Sequence, residues 1–267
     1  HKVSEQSIHM TFGTALHEVL QHYLDVMYDK SGAEADRINI EELFEETLRE
    51  CYAKDYKRNK NEHFSTPEEL REFYDDGVAI LQNFKKKKGG HFSKKGWYLV
   101  GCEIPIVITP NLRLNRVKYM GYLDIVMYHE PTNTFKIIDI KTSTKGWNKY
   151  AKKDESKQFQ LILYKYFFSK QYNIPIEDID IEFFIVRRKV YLDGEYPQKR
   201  IQTFVPASGR NKVNKATKNL DDFINKAFNL DGTYKDTIFN AKPGKWNCTF
   251  CPFKDNKELC NVVGKSL

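Results

Sequence analysis

Val117-Lys-Tyr-Met-Gly-Tyr-Leu-Asp124-Ile-Val-Met-Tyr128 and Phe135-Lys-Ile-Ile-Asp139-Ile-Lys141 are two apolar runs joined by the polar turn Glu130-Pro-Thr-Asn-Thr134. They read as adjacent β-strands. Period two along the second run puts Ile137, Asp139 and Lys141 on one face and Ile138, Ile140 and Thr142 on the other. An acid and a lysine thus project together from the middle of a sheet, and Asp124 sits in the neighbouring apolar run. Burying charge without a partner costs several kcal/mol or more, so these three groups need each other or a metal ion. Two carboxylates and an ammonium converging on a sheet make a hard-cation site with a charge stabiliser beside it.

Period two extends outward from this pair. Tyr98–Thr109 reads as the preceding antiparallel strand, with Glu103 among Val100, Ile104 and Ile106 as either a third buried acid or a residue at a wet edge. Downstream, Ser156–Tyr172 is an aromatic-rich helix in which Gln160 and Tyr164, four apart, share a face. Ile179–Tyr191 is a further strand, and strand–helix–strand order makes it parallel to the Asp139 strand. A return strand at Ile201–Val205 and a helix over Ser208–Leu230 follow. Upstream, Leu16, Val19, Leu20, Tyr23, Leu24 and Met27 mark a helix within Ser4–Lys30, with His17 beside the stripe. Helices are also predicted over Ile40–Tyr56 and Thr66–Lys87, the latter opened by Thr66-Pro67-Glu68-Glu69. The Lys85–Lys88 run that closes it is either a solvated helix end or a phosphate-contacting patch. The fold class expected is α/β, a central mixed β-sheet flanked by helices. A helical N-terminal part (1–96) contributes His17, a core spans 97–206, and a C-terminal helix and cysteine-bearing tail span 207–267, all in one compact domain.

The chain has 267 residues, 40% of them hydrophobic and 14% aromatic, with a formal net charge of +7. That length suffices for a core, and the charge favours a polyanionic partner. No apolar run approaches the ~18 residues of a membrane span, and no signal peptide is visible, so an intracellular, cytoplasmic protein is expected. The polar stretch Thr142–Glu155 interleaves Lys145, Trp147, Lys149, Tyr150 and Lys152. With Arg187 and Arg188 at the end of the later strand, it suits a nucleic-acid strand, although a solvent loop has the same composition.

The five cysteines are Cys51, Cys102, Cys248, Cys251 and Cys260. The last three sit in a compact tail as Cys-x2-Cys with a third nine residues on, which offers three soft ligands where a tetrahedral site needs four. Zinc and an iron–sulfur cluster are both open readings. The fourth ligand could be Cys51, Cys102, a His, or a residue before His1, and three free thiols is the plain alternative.

Four short motifs follow one another in order: Gly13-Thr-Ala-Leu-His17, Gly121-Tyr-Leu-Asp124, Ile138-Asp139-Ile-Lys141-Thr-Ser143 and Gln160-x3-Tyr164. Together they resemble the PD-(D/E)xK nucleases, specifically the RecB-type branch that includes phage and CRISPR-associated exonucleases and the AddB helicase–nuclease. The resemblance implies a restriction-endonuclease-like core and a Mg2+- or Mn2+-dependent deoxyribonuclease, an exonuclease working on single- or double-stranded DNA ends. It implies metal ligation by His17, Asp124, Asp139 and the Ile140 carbonyl; read from the residues alone, Glu103 is a further candidate if a second ion binds. It makes Lys141 the group that orients water and stabilises charge, and Gln160 and Tyr164 the holders of the scissile strand. It also implies roles in DNA repair or recombination beside a separate helicase or recombination partner, a phage-encoded origin as one option, and a 4Fe–4S cluster on the tail cysteines. Two departures stand out. The acid before the lysine is Asp rather than Glu, which is usual in this branch, and no cysteine precedes His17, where cluster-bearing relatives place the first. The rival readings are a catalytically inactive nucleic-acid-binding or scaffold module on the same fold, and a small metal-binding interaction protein defined by its tail.

Overall fold

A computed structural model describes residues 6–110, 116–191 and 198–236, together with 244, 248, 251, 253, 256, 258 and 260. The helices α1 (Ile8–Asp29), α2 (Gly32–Asp36), α3 (Ile40–Arg58) and α4 (Pro67–Lys87) precede the strands β1 (Trp97–Ile108), β2 (Tyr119–His129) and β3 (Thr134–Ser143). Then come α5 (Lys149–Lys153), α6 (Glu155–Tyr172), β4 (Ile179–Arg187), β5 (Ile201–Phe204) and α7 (Arg210–Ala227). The five strands form one mixed sheet in the order β1-β2-β3-β4-β5, in which only β3 and β4 are parallel. Around α6, which connects them, this is the expected strand–helix–strand unit.

Two apolar layers cover the sheet. Ile125, Met127, Ile138, Ile140, Phe184 and Val186 pack against α1, α3 and α4. Leu123, Ile137, Phe183 and Ile185 pack against Leu161, Phe167 and Phe168 of α6 and Val213 of α7. On β3 and β4 strand alternation sorts the sequence as its period requires, with Ile137, Asp139 and Lys141 on the α6 side, whereas on β2 it breaks at Asp124, since Leu123 and Ile125 pack in opposite layers. The start of α4 is a capping box, Thr66 and Glu69 bonding each other's backbone N–H groups, which fixes where the chain turns into the helix. At its end, Lys88 bonds Asp36 at 2.8 Å and Lys85 bonds the Ile38 carbonyl. The two lysines tie the end of α4 to the last residue of α2 and to the segment after it, so this part of the basic run is committed inside the fold.

One feature of the pairing positions the site. β2 and β3 are in register only from Ile125↔Ile138 to His129↔Thr134. Beyond Ile125 the first half of β2 stays with β1, through Leu123↔Ile104 to Tyr119↔Ile108, while β3 continues along β4 to Ser143↔Arg187. The sheet forks where Asp124 and Asp139 stand.

Candidate active site

The fork is held together by a side chain. Asp124 Oδ2 accepts a hydrogen bond of 2.7 Å from the Ile140 backbone N–H, restoring a cross-strand contact where the ladder has stopped. Asp139 is 2% exposed. Lys141 Nζ lies 2.8 Å from its Oδ2, so among the described residues the lysine ammonium is the partner of that buried oxygen. Lys141 Nζ also donates to Gln160 Oε1 at 3.3 Å, and Gln160 Nε2 donates to the Tyr164 hydroxyl at 3.0 Å. The i, i+4 pair of α6 thus braces the lysine instead of lying idle on the helix surface. Tyr164 reaches β2 because Gly121 has no side chain: a Cβ there would stand 2.7 Å from the Tyr164 ring.

From the other face, α1 brings His17, whose Nδ1 is 3.7 Å from Asp124 Oδ2. One turn further on, Gln21 donates to the Asp124 carbonyl at 3.0 Å and to Glu103 Oε1 at 2.7 Å. Gln21 was not legible as a site residue. Its signal is the His17-x3-Gln21 spacing and its position as a polar residue within the apolar stripe of α1. Glu103 is exposed, with a φ of 51°, a backbone conformation that costs a non-glycine residue free energy and is found where surrounding contacts hold it. It is the wet-edge acid of the two readings. The register Cys102↔Ile125 and Ile104↔Leu123 puts it across from Asp124.

Burial dominates the electrostatics. It pushes the Asp124 carboxyl up to about 6, against the Ile140 N–H and the Lys141 ammonium, which favour the charged form. It likewise pushes Asp139 up to about 6, opposed by Lys141 and reinforced by Asp124. It lowers His17 to about 4, with Asp139 acting in the opposite sense, so the imidazole is neutral near pH ~7 and has a lone pair to offer. Two like charges held close in a dry fork favour a bound cation. Among the described residues no three His, Cys, Asp or Glu side chains already form a cage, because Asp124 is bonded to Ile140 and Asp139 faces Lys141. The donor set nonetheless fits a hard divalent ion: two buried carboxylates, one of them facing only the Lys141 ammonium among the described residues, and a neutral imidazole. The Ile140 N–H is used by Asp124.

The residues expected to contact DNA divide. Trp147 packs 4.8 Å from Phe183, and its backbone is bonded at both ends to Gln202. Arg188 bonds Glu72 and Asp76 and stacks over Phe73 at 4.1 Å. Both are committed to the fold. Tyr150 is 70% exposed on α5 with Lys149 over its ring, Lys145 is exposed, and Lys152 lies over Phe204. Arg187 has no ion-pair partner among the described residues and lies against Gly146, whose φ is 77°.

Among the described residues the tail shows no group of cysteines that would hold the expected cluster. Cys248, Cys251 and Cys260 are free thiols, and among the described residues they belong to no metal-holding group. Cys51 sits in the apolar layer beneath α1, its thiol pushed up to about 11 by burial and Glu18. Burial also raises Cys102, next to Asp25. Neither joins the tail cysteines to complete a fourfold set. Among the described residues the donor set for a 4Fe–4S cluster or a tetrahedral zinc is therefore incomplete.

The site is thus a forked mixed sheet with an Asp on each prong and a lysine two residues past the second acid. The chain belongs to the PD-(D/E)XK nuclease superfamily, whose family model matches residues 2–256. Nucleases of this superfamily use divalent metals such as Mg2+, and the family implies a nucleic-acid substrate. A search of curated proteins finds no match. Among the described residues no helix is long and apolar enough to cross a membrane.

Proposed function

We propose that this protein is a Mg2+- or Mn2+-dependent deoxyribonuclease acting as an exonuclease on DNA ends, of the RecB-type branch. The observation that carries the reading is the Asp124–Ile140 bond at the fork, with Asp139 and Lys141 beside it. Asp124, Asp139 and His17 would hold the ion, with the Ile140 carbonyl and Glu103 as further candidates. When bound, the ion supplies charge neutralisation at the phosphate and a more acidic water. The residues of the chain do the rest. Lys141, fixed by Asp139 and by Gln160 backed on Tyr164, presents an ammonium where negative charge develops on the phosphate. Gln21 fixes the Asp124 backbone and the Glu103 carboxylate, so the β1–β2 side of the site is preorganised. Arg187, Lys145, Lys149 and Tyr150 offer backbone and stacking contacts beyond it. A separate helicase or recombination partner would supply DNA ends.

The test is hydrolysis of end-labelled single- and double-stranded DNA with Mg2+, Mn2+ or EDTA, beside Asp139→Ala and Lys141→Ala. Metal-dependent release of nucleotides from ends, lost in both variants, is expected. Hydrolysis surviving both substitutions would sink the mechanism. Binding without hydrolysis under every condition would favour a scaffold on the same fold.

A further inference from the structure

The first half of β2 leaves the fork as an arm that, among the described residues, pairs only with β1 and has one face bare. Leu123 faces α6 and Gly121 meets the Tyr164 ring, so by alternation Lys118, Met120 and Tyr122 share the opposite face, with Lys118 just before the strand; alternation stops at Asp124, whose carboxylate turns into the fork. Tyr122 is 54% exposed and Met120 63%. Across the pair, the register Val107↔Met120 and Pro105↔Tyr122 puts two more apolar residues on that face, Val107 being 52% exposed. A cation, bonded to Thr109 Oγ1 at 2.7 Å, a thioether and an aromatic ring therefore stand in file on the arm and end beside the fork that holds Asp124. Same-face residues on a strand lie about 6.6 Å apart, close to two steps of a stacked nucleic-acid strand at about 3.4 Å each.

Two observations narrow the occupant. The outer edge of β1 is capped at this level: Gln171 accepts from the Val107 N–H at 2.9 Å and donates to the Pro105 carbonyl at 3.0 Å. A partner strand adding to that edge would have to displace both bonds. The bare face itself presents on the order of 300 Å2, well short of the ~1,200 Å2 of a stable protein–protein interface. A small, flat, aromatic–aliphatic face with a lysine at its far end and the scissile centre at its near end suits unpaired bases, each of which has a π-face to lay on it.

The geometry points to the Tyr122–Met120–Val107 face as a stacking platform for unpaired bases of the strand being cut, with Lys118 at its far end for the backbone. The inference rests on the nuclease reading and specifies its substrate: the enzyme takes single strands and frayed ends, because a closed duplex keeps its bases stacked on one another.

The test uses the full chain in EDTA, so that binding is read without cleavage. A single strand carrying 2-aminopurine is titrated with wild type, Tyr122→Phe, and the double variant Tyr122→Ala with Met120→Ala. Wild type and Tyr122→Phe should quench the fluorophore and bind alike. The double variant should lose the quenching and about five- to a hundred-fold in affinity, with an unchanged melting temperature. With Mg2+ restored, it should lose the preference for single over double strands. Wild-type quenching and strand preference retained in the double variant would overturn the platform while leaving the nuclease intact. A lowered melting temperature would mean that the chain's own residues pack on this face, and a dimer dissolved by the substitutions would assign it to a second copy; either overturns the proposal. No binding by any form would overturn the nuclease reading, and the platform with it.

Discussion

Asp124 Oδ2 accepts the Ile140 N–H at 2.7 Å at the point where β2 and β3 part. One carboxylate therefore has two duties: it closes the fork and it offers charge to a metal ion. Substitution separates them. Asp124→Asn keeps an acceptor for the Ile140 N–H and removes the charge, so it should fold with wild-type stability or better while hydrolysis falls by about 100-fold or more. Asp124→Ala leaves that N–H without its partner and should cost about 1–3 kcal/mol as well. Thermal melts beside a hydrolysis assay check both. If Asn and Ala destabilise equally, the bond does not hold the fork.

The same carboxylate sets a pH dependence. Its folded, metal-free value is raised by burial to about 6, whereas an unfolded Asp titrates near ~3.9. Between those values the folded chain holds a proton that the unfolded chain has released, so the contribution of Asp124 to stability falls as pH rises through the window. His17 acts in the opposite direction, since burial lowers it to about 4 and it therefore costs stability as pH falls below ~6.5. The difference between wild type and Asp124→Asn isolates the carboxylate. In EDTA the variant should melt above wild type at about pH 8, and the gap should narrow through about 6 and close near ~4. Added Mg2+ should raise the wild-type melting temperature at about pH 8 and lose that effect by about pH 5, where protons compete for the ligands. A pH-independent gap between the two proteins would assign the titration elsewhere.

Much of this site is legible in the sequence because it obeys strand and helix periods. Asp139 and Lys141 share a face by period two, and Gln160 and Tyr164 by four-residue spacing. What escapes depends on tertiary geometry. Nothing local tells that Glu103 adopts a φ of 51°, or that Gln21 is spent on the Asp124 carbonyl and on Glu103. Thr142–Glu155 reads as a polar loop because the five residues of α5, capped by Asn148, are too few to show a helical period. Arg187 and Arg188 look alike in composition. Alternation alone separates them, sending Arg187 to the Lys141 side and Arg188 to the α4 side. The tail cysteines were legible as a spacing, but spacing does not supply the missing fourth ligand.

Lys141 is the residue whose loss should leave binding and remove turnover. It faces Asp139 and is held by Gln160, so Lys141→Met should keep the fold, keep DNA affinity within about threefold, and lower kcat by at least about 100-fold. Gln160→Leu removes the brace and not the charge. It should lower kcat about tenfold, with little change in KM. Equal losses in kcat and affinity for Gln160→Leu would make it a substrate contact instead of a positioning residue.

Arg187 and Arg188 should part under the same substitution. Arg188 bonds Asp76 at 2.7 Å and Glu72 at 2.9 Å and covers Phe73, joining β4 to α4. Arg188→Ala should cost about 2 kcal/mol of stability, since it strips a mostly buried carboxylate of one cationic partner; Lys189, 2.8 Å from Asp76, limits the loss. Its effect on DNA binding should be no larger than the loss of folded protein. Arg187 stands across from Ser143, two residues beyond Lys141, without an ion pair among the described residues. Arg187→Ala should leave the melting temperature within error, weaken DNA binding, and reduce the slope of log affinity against log salt by about 1, the signature of one phosphate contact. Melts and binding isotherms at several salt concentrations decide it: an unchanged salt slope for Arg187→Ala would remove that residue from the DNA path.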